Sequence, residues 1–92
     1  MKLEDYLEND FKVYVEVNTR HRSDGRILPL SFIWEDGREY QIDKILDIRP
    51  AASLKGGGTG LRYTVLVRSH QTHLWLEEGQ DVQRWFMERK NL

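Results

Sequence analysis

The chain has no cysteine, only two prolines and a net charge of −1. Without cysteine there is no disulfide framework and no thiolate metal site. Pro29 and Pro50 stand alone, so there is no proline-rich linker. No apolar run approaches the ~20 residues that cross a bilayer as a helix, so no membrane partner is expected. A net charge near zero gives no overall pull on nucleic acid. The charge is unevenly spread: Lys2 stands against Glu4, Asp5, Glu8 and Asp10, a net −3, which leaves the other residues at +2. That excess is far below the basic stripes of DNA-binding domains. The opening "MKLEDYLEND" is acidic where a signal peptide needs an apolar core. With the missing cysteines, this sets the expectation of a cytoplasmic location.

What is present is a 92-residue chain of ordinary globular composition, with three Trp, four Tyr and three Phe. That length fits one domain. The reading is a short acidic segment at 1–10, in which 3–9 form one or two helical turns or fray, followed by a single domain at 11–92.

The dominant period is two. In "FKVYVEVNT", Phe11, Val13, Val15 and Val17 share one face and Lys12, Tyr14, Glu16 and Asn18 the other, the pattern of a half-buried antiparallel strand. "SDGR" reads as a turn. "ILPLSFIW" places Leu28, Leu30, Phe32 and Trp34 together, with Pro29 opposite. Proline lacks a backbone donor, so this strand is an edge there or carries a bulge. Asp36-Gly37 between β-rich runs predicts a type I′ hairpin. The returning strand, "REYQIDKILDI", aligns Tyr40, Ile42, Leu46 and Ile48, while Ile45 on the other face implies a bulge or a strand covered on both sides. Pro50 is expected to end it, and 50–60 to be the longest loop. "LRYTVLVRS" alternates Leu61, Tyr63, Val65 and Val67 against Arg62, Thr64, Leu66 and Arg68. "SHQT" reads as a reversal. "THLWLE" turns Leu74 and Leu76 one way and Trp75 the other. "VQRWFMERK" has both helical and strand spacing. The bulk of "WFM" and the hairpin signal before it favour a strand. Six short strands joined by hairpins predict an all-β fold: an antiparallel meander curled into a small SH3-like barrel of five or six strands.

"SLKGGGTG" is the stretch that most suggests chemistry. A phosphate-binding P-loop needs the lysine after the glycines and a helix behind it. Here Lys55 precedes them and a strand follows. An anion nest remains open, but a hairpin connection is the plainer reading. His70 and His73 would lie on opposite arms of a tight turn, with no third ligand nearby, so no metal and no cofactor are expected. His21 reads as a surface residue. Ser69 and His70 are strand neighbours and point apart, so they form no dyad. Glu35/Asp36 and Glu77/Glu78 lie in turns, where neither member is desolvated as acid–base work requires. The expectation is no enzyme. The candidate binding residues are Arg49, Lys55, Arg62, Arg68 and Trp75. A ring with arginines on a sheet surface is how single-stranded nucleic acid is held. It is also how a charge-mixed sheet face looks when Arg stems cover an exposed ring.

The run "WEDGREYQIDKILDIR", then "RYTV" and a closing "WF", resembles a group of short bacterial proteins described only as domains of unknown function. The resemblance covers about residues 13–90. More loosely, the Trp-bearing hairpin is similar to small domains beside or fused to bacterial translesion-polymerase-like proteins. The chain departs from these in lacking their tryptophans after the hairpin and in carrying "AASLKGGGTG". The resemblance implies a small β fold with an accessory role and assigns no catalytic residue. The leading expectation is therefore a non-enzymatic binding or adaptor module for a protein partner, acting through an edge strand, the 50–60 loop, Trp75 or Arg62. The alternative is a single-stranded nucleic-acid-binding accessory domain. Either way, a monomer or weak homodimer is expected.

Overall fold

A computed structural model describes residues 12–52, 59–79 and 81–89. Seven strands form one antiparallel sheet: β1 (Lys12–His21), β2 (Ile27–Ile33), β3 (Glu39–Gln41), β4 (Lys44–Ala52), β5 (Thr59–Val67), β6 (His70–Gly79) and β7 (Val82–Glu88). Their order is β3-β2-β1-β7-β6-β5-β4. The chain is a meander closed by β1 against β7 and open between β3 and β4, a half-barrel. The segment 82–88 is a strand, as the bulky "WFM" implies. The acidic segment 1–10 and the centre of the glycine loop, 53–58, lie outside the described residues.

The count is seven rather than five or six because the expected return strand divides. It splits at Ile42-Asp43, where the chain leaves one edge of the sheet for the other. The Ile42 N–H donates to the Leu30 carbonyl at 2.9 Å, and the next amide, Asp43, donates to Leu66 at 2.8 Å.

Two bulges correct the expected faces. Between Asn18 and Thr19 the ladder advances one residue on β1 and two on β2, leaving Leu30 unpaired. This flips the parity: Pro29 is fully buried and Leu30 is 42% exposed, the reverse of simple alternation. A second bulge falls between Ile45 and Asp47. Leu46 is 42% exposed, while Ile45 and Ile48 pack on the core. Pro50 does not end β4, which runs on to Ala52. β4 is an edge strand, where a missing donor is tolerated.

The turns also differ in type. Gly37 has φ of 80° and Gly25 of 92°, but neither preceding Asp is positive. Each Gly donates to the residue three back, Trp34 at 2.9 Å and Arg22 at 3.0 Å. Each Asp side chain accepts from the amide two residues on, Arg38 or Arg26, at 3.0 Å. Both are type I turns ending in a left-handed glycine bulge, not type I′. The left-handed pair occurs instead at Arg68 (φ 49°) and Ser69 (φ 67°), so β5 reverses two residues earlier than "SHQT" suggests.

Phe32, Tyr63, Val65, Val67, Leu74, Leu76, Trp85 and Met87 fill the core. Tyr63 lies against Trp85, ring centroids 5.1 Å apart, and its hydroxyl donates to the Ile27 carbonyl at 2.6 Å. That bond crosses the open side of the half-barrel. Burial pushes the Tyr63 phenol above its ordinary value. Gly60 has a packing role: a Cβ there would stand 2.9 Å from the Leu76 carbonyl oxygen and 3.3 Å from that of Ala51.

Candidate functional site

The outer sheet face carries one continuous cross-strand row. Tyr14 of β1 pairs with Phe86 of β7, Phe86 with Trp75 of β6, Trp75 with Arg62 of β5, and Arg62 with Arg49 of β4. Directly opposed residues on one face are the contact unit of a sheet, so three rings run into two guanidinium groups. Trp75 and Phe86 stack with centroids 5.3 Å apart and planes within 2°. Tyr14 meets Phe86 edge-on at 6.0 Å, and His73 lies 5.7 Å from the Trp75 ring.

The β1 end of the row is electrostatically satisfied. Glu77 accepts from Lys12 at 2.9 Å and Arg84 at 2.9 Å, and from the Tyr14 hydroxyl at 3.2 Å. Burial pushes the Glu77 carboxyl up, but these bonds outweigh it and hold the group below the ordinary carboxylate range. Burial likewise works to lower the Lys12 ammonium, and its interactions with Glu77 and Tyr14 together more than offset this and raise it. The Lys12 ammonium lies 4.3 Å from the Phe86 centroid and the Arg84 guanidinium 4.3 Å from Tyr14. The Phe86 and Tyr14 rings are thus already engaged by cations.

The β4 end is not closed in this way. Arg49 is exposed and bonds Asp47 on its own strand at 2.8 Å. Arg62 is half-buried and its Nε is buried with no hydrogen-bond partner. An unmade bond on a desolvated donor is costly. Arg62, His73, Trp75 and Glu88 line one shallow hollow here.

The structure therefore unites Arg49, Arg62 and Trp75 and separates them from Arg68. Arg62 and Arg68 do not share a face, because the left-handed turn takes Arg68 off the strand to lie 5.0 Å from the Tyr40 ring. Lys55 lies outside the described residues. His70 and His73 both belong to β6, three residues apart, so they face opposite ways rather than standing on two arms. Sequence reasoning missed Phe86 as a row member and Lys12, Glu77 and Arg84 as the charges beside it, because the pairing of the first strand with the last was not available.

At one end of the half-barrel, Phe32 stacks on Tyr40 at 5.6 Å, with Trp34, Val67 and Met87 around a cleft of about 450 Å³. Glu35 bonds Arg89 at its rim, and this bond holds the Glu35 carboxyl below the ordinary range. Asp36 is lowered by the Arg38 amide in its own turn. No family model, curated protein or solved structure matches the chain.

Proposed function

We propose that this chain is a non-enzymatic adaptor module that binds a partner protein on the Arg49–Arg62–Trp75 patch. The unpartnered, desolvated Nε of Arg62, beside an indole and next to β4, the terminal strand among the described residues, carries this reading. Trp and Arg are the residue types that concentrate binding energy at protein interfaces. In this reading the Arg62 side chain turns outward to put its Nε on a carboxylate of the partner, and an apolar side chain covers Trp75. The small meander supports describing the fold as SH3-like, and the resemblance supports an accessory role.

The carboxylates with shifted titration do not suit general-acid work. Glu35, Asp36 and Glu77 are all lowered, whereas a general acid must be raised. Single-stranded nucleic acid is the second reading, favoured by Arg49 and Arg62 lying side by side. It is weakened by the rings, since stacking platforms offer bare faces to bases while Phe86 has Trp75 and Lys12 on it.

The test is a titration of the labelled protein with an acidic extended peptide and with a mixed single-stranded oligonucleotide, each at low and high salt. The expected result is a peptide response centred on Arg49, Arg62 and Trp75 that survives salt in part and weakens in R62Q. A response to the oligonucleotide alone, vanishing with salt as counterion release demands, replaces this reading with the second.

A further inference from the structure

The cleft at one end of the half-barrel plays no part in the patch. Phe32, Trp34, Tyr40, Val67 and Met87 line its volume of about 450 Å³. Small-molecule sites run from about 300 to 1,000 Å³ and are mostly apolar, with a few polar groups that orient the ligand. The rings are held in place without a ligand: Phe32 stacks on Tyr40 at 5.6 Å, and the Tyr40 hydroxyl donates to Asp36 at 2.9 Å.

Glu35, Arg68, Glu88 and Arg89 border the cleft, with His70 exposed at its edge. Glu35 and Arg89 neutralise each other through two bonds, one of them from the Arg89 Nε at 3.1 Å. Glu88 follows the inward-facing Met87 on β7, so it turns to the outer face, where it also borders the Trp75 hollow. Arg68 is different. Its guanidinium lies 5.0 Å from the Tyr40 centroid, and among the described residues no carboxylate bonds it. Alternation along β5 would have placed Arg68 on the outer face with Arg62. A left-handed backbone, φ 49°, takes it to the cleft instead, and the Asp43 carboxylate holds that turn through the Arg68 N–H at 2.9 Å. Such a conformation is unfavourable for a residue other than glycine. Strain that persists where it aims a cation at an apolar cleft points to use.

We propose that this cleft binds a small aromatic carboxylate, with its ring against Phe32, Trp34 and Met87 and its carboxylate on the Arg68 guanidinium. The guanidinium fork matches a carboxylate in geometry and charge, and its plane can stay on Tyr40 while its edge donates. Ring walls and a thioether favour a ring over an alkyl chain. A cationic ligand fits worse on both counts. The Tyr40 ring already carries the Arg68 cation, and the Glu35 carboxylate is taken by Arg89. Neither Arg62 nor Trp75 takes part, so the proposal stands apart from the adaptor reading.

The probe is naphthoate at neutral pH, with naphthamide as its uncharged counterpart. Binding to the whole chain is followed by NMR at the Trp34 indole N–H and the Val67 and Met87 methyl groups. The expected result is saturable shifts at these positions with a Kd below about 1 mM. Affinity should fall about tenfold for naphthamide, and by a similar factor for naphthoate on R68Q, through loss of one charge-assisted bond. R68Q keeps the backbone N–H that Asp43 holds, so the turn remains. R62Q and W75A should bind naphthoate as the parent does, which separates this site from the patch. No shift at Trp34, Val67 and Met87 up to several millimolar naphthoate, equal affinity for naphthamide, or undiminished binding by R68Q would each overturn the proposal.

Discussion

Ile42 and Asp43 are neighbours in sequence, yet their amides bond strands near opposite ends of the sheet order, Ile42 to Leu30 on β2 and Asp43 to Leu66 on β5. This one step turns a hairpin into a gap. It separates β3 from β4 and makes β4 a terminal strand of the sheet.

Asp43 also stabilises the turn beside it. Its carboxylate accepts the Arg68 N–H at 2.9 Å, at the start of a left-handed pair with no glycine. Asp43→Ala should lower stability by about 1 kcal/mol, as for loss of one exposed hydrogen bond. Ser69→Gly should raise it by about 0.5–1 kcal/mol by removing the left-handed penalty. Urea unfolding of the two variants checks both signs.

Gly60→Ala should destabilise by about 1–3 kcal/mol, because the new methyl meets backbone oxygens that have little freedom to move. Gly79→Ala is the control. There the nearest atom is 3.9 Å away, and thermal melts should show little change.

Glu77 gives the row a pH dependence. Its folded pKa is depressed, so its contribution is complete above the unfolded value of about 4.3 and is lost as pH falls through the lower folded value. Glu77→Gln should be less stable at neutral pH and should flatten the acid limb of a stability–pH curve. Lys12, raised by the same pair, loses its contribution only at alkaline pH, above about 10.4.

Trp75→Ala should cost about 0.5–1.5 kcal/mol from the lost ring stack, beyond the area it uncovers. Because the stack is on the outer face, the variant should stay folded. Its circular dichroism in the far ultraviolet should match the parent while denaturant midpoints fall.

Much of the fold was legible because its strands alternate cleanly. Val13, Leu74, Leu76 and Tyr63 point inward as their spacing implies, and Trp75 points out. The two bulges defeated simple parity, although Pro29 had announced the first and Ile45 the second. The turn chemistry was half legible: "DG" marked both turns, but the type depends on the number of residues between the strands. The site was less legible. Arg62 and Trp75 were named from the sequence, but their place in a row with Tyr14 and Phe86 depends on β1 pairing with β7, a contact between the two ends of the domain. Arg68 was misplaced because nothing in "VRSH" shows that Arg and Ser adopt left-handed backbone.

The adaptor reading is tested most directly at the Arg62 Nε–H resonance, followed as the acidic extended peptide is added. The account predicts that this proton shifts strongly downfield as it gains an acceptor, together with the Trp75 indole N–H. An Arg62 signal that stays put while the peptide binds elsewhere, or that moves only with the oligonucleotide and reverts at high salt, would contradict it.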